Sequence, residues 1–447
     1  MSLVVEVVPL GEAVKPSRPR VKPSNYPELP FIGMEHIEAH SMKLLGTVPA
    51  KTMKSSAVHF KPGDVLYGRL RPYLNKVYRP SFEGLCSAEF IVLPENERVD
   101  GAYLQYFLNS AEFVRYASHL NTGDRPRVDF EQLAPYDLPL PRKEEQRWIV
   151  AEIEKHFSRL HDAVDILKRV AVSAERYKAS VLNAAVEGRL VPIEAKVARR
   201  ERRSYETGAQ LLQRILAQRS SSWRSKGKSK EPAMLDETDL PSLPEGWVWT
   251  TFEQVSERVT KGSSPNWQGF EYCSDGIPFV RSQNVGWGQI DLTDLAFLPR
   301  AFNDVEKKSV LCEGDVLLNI VGASIGRAAI APRIVEGGNI NQAVAVIRLQ
   351  RCGVNNRFAL AYLLSAAAQR HIHSQKVDVA RANYSLQDIK NMPFALPPLA
   401  EQDRIVAEVE RQLSVTVELE ATTSTNLQRA SRFFQSILRQ VFSGRHD

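Results

Sequence analysis

The chain has 447 residues, 43% of them hydrophobic and 25% charged, with a formal net charge of +6. That length exceeds one ordinary domain, and the composition is that of a globular protein. The longest apolar runs, such as Val316-Leu317-Leu318, fall far short of a membrane span. Met1 to Leu10 carries Glu6 and lacks the basic start of a secretory signal. Cys86, Cys273, Cys312 and Cys352 form no Cys-x-x-Cys pair and fit free thiols in a reducing compartment better than disulfides or zinc ligands. The expectation is a cytoplasmic protein. Charge is uneven: eleven Lys/Arg stand against Glu201 and Glu206 between Lys196 and Lys230, which leaves the remainder slightly acidic. A uniformly basic coat is excluded, so any nucleic-acid contact elsewhere must come from local patches. The basic run itself suits a solvated connector as well as a phosphate-contacting one.

In chain order, a first strand is expected within Val4 to Val14 and another within Pro30 to Met34. Gly63-Asp64-Val65-Leu66 opens a turn and strand, Phe90 to Leu93 is a β-branched run, and Ala102 to Leu120 reads as helix. A Pro-rich lead-in, Leu138-Pro139-Leu140-Pro141, then enters a stretch from Glu144 to Glu187 that holds neither Pro nor Gly. Gly188 stands where a C-terminal cap belongs. Spacings of four and three place Val150, Ile153, Phe157, Leu160, Val164, Leu167, Ala171, Ala174, Val181 and Ala185 on one seam, with Lys178 the misfit. A helix of that length spans roughly 66 Å at ~1.5 Å per residue. Arg189 to Leu243 forms a connector, with one amphipathic helix (Leu211, Leu212, Ile215, Leu216) before Ser/Lys-rich coil. Beyond it come strands within Val310 to Val321 and Ala343 to Leu349, a helix from Phe358 to Gln375, and the lead-in Leu396-Pro397-Pro398. The second seam consists of Val406, Val409, Leu413, Leu427, Ala430, Phe434, Ile437 and Val441. Polar Thr416, Glu420 and Thr423 interrupt it.

The order of elements repeats because the sequence does. Glu145-Gln146-Arg147-Trp148-Ile149-Val150-Ala151-Glu152-Ile153-Glu154 recurs as Glu401-Gln402-Asp403-Arg404-Ile405-Val406-Ala407-Glu408-Val409-Glu410, seven of ten identical, at an offset of 256. The same offset carries Tyr106 onto Tyr362, Arg125 onto Arg381, Arg176 onto Arg432, and Gly188-Arg189 onto Gly444-Arg445. Upstream, Gly63-Asp64-Val65-Leu66 matches Gly314-Asp315-Val316-Leu317, and Pro30-Phe31-Ile32 matches Pro278-Phe279-Val280. The chain is two copies of one unit. Neither apolar seam can remain in water, and the other copy is the nearest partner. Units related by a pseudo-twofold axis lay the two helices antiparallel.

This layout resembles the specificity (S) subunit of type I restriction-modification systems. The residues that carry the resemblance are Leu243-Pro244-Glu245-Gly246-Trp247, the run from Gly314-Asp315-Val316-Leu317-Leu318 to Gly326-Arg327, and Asn339-Ile340-Asn341-Gln342. In the first unit they are Gly63 through Leu74, and the Pro-Pro-x-x-Glu-Gln helix entry adds to them. The first unit lacks the Leu-Pro-Glu-Gly-Trp opening. The resemblance implies an α+β fold in which two mixed α/β target-recognition domains are separated by two long helices forming an antiparallel coiled coil. The expected parts are residues 1–142 (first recognition domain), 143–189 (first spacer helix), 190–242 (basic linker), 243–398 (second recognition domain) and 399–447 (second spacer helix). It further implies a non-catalytic, sequence-specific DNA-binding subunit that reads a bipartite target in defence against foreign DNA. Its implied partners are double-stranded DNA, two adenine-methylating M subunits, and R subunits that translocate and cleave. S-adenosylmethionine, ATP and Mg belong to those partners, and no cofactor is expected in this chain. An autonomous DNA-binding regulator and a coiled-coil scaffold are the rival readings.

Candidate DNA-contacting residues in the first unit are Arg69, Arg71, Tyr73, Asn75 and Lys76, with Arg125 and Arg127 in the loop before the long helix. In the second unit they are Lys261, Ser263 and Ser264, then Arg281, Gln283 and Asn284, with Arg327 and Arg381. Arg pairs two-pronged with guanine and Asn or Gln with adenine, whereas Lys usually meets phosphate. The same residues also suit turns and inward-facing strand positions. Exposed coil faces around Arg147, Lys155 and Arg411 are candidate docking surfaces. Apparent catalytic motifs do not survive inspection. Asn391-Met392-Pro393-Phe394 imitates an amino-methyltransferase motif, but its counterpart is Pro135-Tyr136-Asp137-Leu138 and no Gly-rich cofactor loop accompanies it. His36 and His40 lack the His-Glu-x-x-His order. Glu194-Ala195-Lys196 has no partner aspartate.

Overall fold

A computed structural model describes residues 6–17, 19–121, 123–224, 235, 237–238, 240–374 and 383–442. The chain divides into two compact units: residues 1–170 with 422–447, and residues 171–421. Each unit therefore takes its own sheets together with a piece of both long helices. No helix among the described residues is long and apolar enough to cross a membrane.

In unit one, Val65–Gly68 lies between Val77–Tyr78 and Phe90–Leu93, antiparallel to both. A five-stranded sheet runs Arg20–Val21, Ala57–Phe60, Gly84–Ser87, Pro30–Ile32, Val48–Pro49, and its Pro30–Ile32 strand is parallel to Gly84–Ser87. Unit two repeats the plan. Val316–Asn319 lies between Ala328–Ile330 and Val344–Leu349, and Ile277–Val280 runs parallel to Asn339–Ile340. The central strands read as unbroken apolar runs because both of their faces are buried. Val65 and Tyr67 face the helical core while Leu66 faces a second cluster; Val316 and Leu318 are divided from Leu317 in the same way. Each strand is entered by one Asp turn. Asp64 Oδ2 accepts the Lys61 N–H at 2.8 Å, and Asp315 Oδ2 accepts the Cys312 N–H at 2.8 Å.

The first unit's different opening builds the same strand as the second. Glu6–Pro9 pairs antiparallel with Asp137–Leu140, as Val248–Thr251 pairs with Pro393–Leu396. The single helix expected in each recognition domain is two. Gly101–Leu108 stops at Asn109, whose Nδ2 turns back to the Gln105 carbonyl, and Ser110 caps Ala111–His119. In unit two Ser365 separates Asn356–Leu364 from Ala366–Ser374, its Oγ accepting the Ala368 N–H. Side chains that bond the local backbone this way compete with helix continuation.

The long helices are Lys143–Val186 and Leu399–Phe442, 44 residues each. Each is locked to its domain by a fully buried glutamine. Gln146 Oε1 accepts the Asp100 N–H at 2.8 Å, and its Nε2 donates to the Arg98 and Pro141 carbonyls at 2.7 and 2.8 Å. Gln402 does the same with the Asn355 N–H and the Gly353 and Pro397 carbonyls. Along the seam, unit one sets the start of the first helix against the end of the second. Phe157 stacks on Phe434 at 4.3 Å, Leu438 is fully buried, and Phe442 meets Tyr103 and Phe107 edge-on. In unit two the end of the first helix (Val181, Leu182, Ala185, Val186) packs with the start of the second (Ile405, Val406, Val409). There Tyr177 donates to Gln412 Oε1 at 2.9 Å. That order is antiparallel. Thr416 and Thr423 lie buried in the seam despite their polarity.

The linker differs from expectation. It carries two helices, Glu194–Glu201 and Gly208–Arg224. Leu211 and Ile215 are fully buried in the core of unit two. They sit so close to Gly353 that any Cβ there would overlap Ile215. The amphipathic pattern was legible; that its apolar face closes the core of the following domain was not. Replacing Gln146 by Leu leaves three buried backbone groups without partners, and is expected to destabilise unit one by about 3 kcal/mol or more. Hydrogen exchange at the Asp100 amide, which the side chain protects, checks this.

Candidate nucleic-acid interface

Unit one brings its two candidate segments together. Leu70 bridges Arg127, the Arg71 N–H donates to the Pro126 carbonyl at 2.7 Å, and the Val128 N–H donates to the Arg69 carbonyl at 3.0 Å. Arg69, Arg71, Arg125 and Arg127 thus stand on two adjoining backbone segments, a cationic patch that the sequence distributes over two loops. Two of the four are held by carboxylates: Arg69 pairs with Asp129 and Arg127 with Glu89. Arg71 and Arg125 are exposed, with no hydrogen bond or ion pair from either side chain among the described residues. Tyr73, 46% exposed, sits at the turn's tip. Asn75 is buried, its Nδ2 donating to Asn109 Oδ1 at 2.7 Å, and Lys76 Nζ donates to the Met34 carbonyl at 2.6 Å. Both serve the fold.

Unit two converges differently. The Asn341 N–H donates to the Val280 carbonyl, Asn319 Nδ2 donates to the Ser282 carbonyl at 2.8 Å, and a Cβ on Gly262 would strike the Ile340 carbonyl. The loops holding Lys261, Ser263 and Ser264, then Arg281 and Gln283, and the turn ending at Arg327 therefore adjoin. Asp294 organises the middle one: Arg281 donates to its Oδ2 at 2.9 Å and Gln283 Nε2 at 2.7 Å, while the Arg281 guanidinium lies 5.9 Å from the Tyr272 ring centroid. Asn284 is buried and holds the Asp291 and Asp294 carbonyls, so it shapes the loop from inside. Ser263 accepts from Gln268; Lys261 is exposed and Ser264 and Arg327 are half-buried. Arg381 lies outside the described residues. Sequence reasoning missed the carboxylates that orient these cations, and it missed Trp267, 80% exposed on the Ser263–Gly269 loop. A large aromatic in so polar a loop was the available signal.

Several cations among the described residues of the basic linker are held by carboxylates. Arg214 pairs with Glu206, Arg199 with Glu245, and Arg203 with Glu201 and Glu194. Arg219 is buried, which lowers its pKa, and donates to the Glu253 carbonyl. The proposed docking cations are likewise paired, Arg147 with Asp100, Lys155 with Glu152 and Arg411 with Glu408. Glu194 and Glu401, both buried, form the nearest thing to a catalytic acid pair, and both are consumed structurally. Glu401 accepts from Trp247 Nε1 at 2.8 Å and from the Glu194 N–H at 2.7 Å; Glu194 accepts from Arg404 at 2.6 Å. Burial works to raise the Glu194 pKa, but hydrogen bonds from Arg404 and Arg203 prevail and hold it below the usual carboxylate range. Burial pushes Glu401 up. The methyltransferase-like Asn391-Met392-Pro393-Phe394 runs from the end of the helix Leu386–Asn391 into the core strand Pro393–Leu396, with Phe394 fully buried.

The chain is thus two copies of one sheet framework, each entering a long helix and each carrying polar loops at its edge. Residues 244–429 match the type I restriction modification DNA specificity domain. The chain is similar to type I restriction-modification specificity subunits. It is 26% identical over 307 residues to the type I restriction enzyme EcoBI specificity subunit of Escherichia coli, across 69% of this chain and 58% of that protein. To the EcoAI specificity subunit of Escherichia coli it is 22% identical over 440 residues, across 84% of this chain and 71% of that one. The first match thus spans little more than half of that relative. A chain from a structural study of complex assembly and conformational transition of the type I R-M system aligns over 98% of this chain and 97% of its own. Its TM-score is 0.64 at 20% identity, a likeness of fold.

Arg404→Leu removes a partner of a buried carboxylate while leaving the edge loops untouched. It is expected to destabilise unit two by about 2 kcal/mol, below the cost of breaking a fully buried pair because the arginine is one-third exposed. Denaturant unfolding of the purified chain measures it.

Proposed function

We propose that the chain is a non-catalytic DNA-recognition and assembly subunit in which each unit reads one half of a split target. The observation that carries this reading is the pairing of a constant frame with unlike edges. The Gln146 and Gln402 locks and the Asp64 and Asp315 turns are the same in both units. The edge offers arginines and a tyrosine in unit one, and a lysine, a clamped arginine, Gln283 and Trp267 in unit two. One frame with two chemistries suits two different short base sequences. Linking two readers multiplies specificity and raises affinity through effective concentration. Its relatives' place in type I restriction systems supports adenine-methylating and DNA-cleaving partners that bring S-adenosylmethionine, ATP and Mg2+. Such partners work on cytoplasmic DNA and flip the target base out of the stack.

The helix pair supports the assembly role. In unit two Val172, Val415, Val417 and Leu419 are exposed on the long helices, and Val415 and Leu419, one turn apart on one face, suit another helix better than water. Apolar contact is the docking chemistry these side chains offer. Methylome sequencing of the host with and without this gene tests the proposal. The expected outcome is loss of one split methyladenine motif when the gene is deleted; an unchanged methylome contradicts it.

A further inference from the structure

Backbone strain among the described residues is concentrated at one place. Among the described residues five non-glycine residues have positive φ: His40, Met42, Arg71, Asn75 and Arg202. Four of them meet at a single turn. Arg71 (φ +53°) and Asn75 (φ +41°) lie within it, and the His40 N–H (φ +59°) donates to the Leu74 and Asn75 carbonyls at 3.2 and 3.3 Å, with Met42 (φ +56°) two residues on. A left-handed conformation is costly for residues other than Gly, Asn and Asp. The turn also leaves the buried Asn75 Oδ1 without a hydrogen-bond partner.

Unit two builds the same turn without that cost. Strand Val65–Gly68 pairs with Val77–Tyr78 across residues 69–76, and Val316–Asn319 pairs with Ala328–Ile330 across residues 320–327. The loops are equal in length, and each bridges the segment before the long helix at its second residue, Leu70 to Arg127 and Val321 to Asn383. Position by position, Gly322 (φ +75°) stands where unit one has Arg71, and Gly326 (φ +92°) where it has Asn75. The fold thus needs left-handed backbone at both positions and is satisfied by glycine. Asn is a tolerated substitute; Arg is not. The Arg71 backbone is pinned from both sides, its N–H on the Pro126 carbonyl and its carbonyl accepting the Leu74 N–H at 2.9 Å. Its guanidinium is exposed and, unlike those of Arg69 and Arg127, has no carboxylate partner among the described residues.

We propose that Arg71 is the specificity-determining residue of unit one and reads a guanine in the first half-site, donating two hydrogen bonds to its N7 and O6. Strain held where a glycine suffices, under a free guanidinium on a rigid backbone, is the signature of a side chain kept for what it touches. Arg125 has the same chemistry on a segment with no such backbone cost. This inference rests on the DNA-reading function above and assigns one base to one residue.

The test is Arg71→Gly, the residue that unit two already uses at this position, introduced into the full chain in its host. The expected result is that one guanine position in one half of the split motif becomes degenerate, with discrimination there falling roughly ten- to hundred-fold. The other half stays unchanged, and the thermal midpoint of the purified chain does not fall. Arg71→Lys, which keeps charge without the two-pronged geometry, is expected to relax the same position. An unchanged motif, or methylation weakened uniformly with the motif intact, overturns the proposal and leaves DNA reading standing, the latter marking a phosphate contact. A wild-type host showing no split motif that depends on this gene removes the DNA-reading function itself.

Discussion

Each unit is completed by a helical segment that the other repeat encodes. Leu438, from the second repeat, is fully buried in the core that holds Tyr103, Phe107 and Ile153. Val181, Leu182 and Ala185, from the first repeat, lie in the core with Phe358, Tyr362 and Val406. Burying side chains of this size contributes ~1.5–3 kcal/mol each, so the exchanged segments supply several kcal/mol to each unit, a large fraction of a domain's net stability. The heptad seam is the visible part of this exchange, and its consequence is that neither repeat contains all of its own core.

The remaining architecture follows from keeping that exchange constant while the edges vary. A buried glutamine at each helix entry satisfies three backbone groups that would otherwise be stranded where strand, loop and helix meet. Its geometry fixes the angle at which each sheet joins its helix. With the frame set in this way, loops at the far ends of the central strands can change sequence without disturbing the core. They have done so: the turn after Gly68 carries Arg71 and Tyr73, and the equal-length turn after Asn319 carries Gly322 and Ser324.

Local and repeated features were readable from the sequence. The stretch from Glu144 to Glu187 without Pro or Gly placed the first long helix to within a residue at each end, the second begins at residue 399 as expected, and the ungapped offset exposed the duplication. Phe90 to Leu93 is a strand with the bounds expected of it. What escaped depends on contacts distant in sequence. Asp129, Glu89 and Asp294 hold Arg69, Arg127 and Arg281, and nothing local marks a carboxylate tens of residues away as a clamp. Asn75 and Asn284 have base-reading chemistry, yet burial turns their amides onto neighbouring backbone and side chain. The left-handed backbone at Arg71 runs against the residue's own propensity, so it becomes visible only when the two turns are set side by side. The linker's amphipathic helix was legible but not its docking, since the groove it fills beside Gly353 is made by the following domain.

The most direct test of the exchanged-core claim is hydrogen exchange on a chain ending at Ala421, compared with the full chain. Removing residues 422–447 takes Phe434, Leu438 and Phe442 out of unit one and nothing out of unit two. The account predicts that amides in Gly101–Leu108 and at the start of the first long helix lose protection by a factor of roughly a hundred or more, equivalent to ~3 kcal/mol. Those in Val316–Asn319 and Val344–Leu349 keep theirs. Full protection of Gly101–Leu108 in the shortened chain would contradict it.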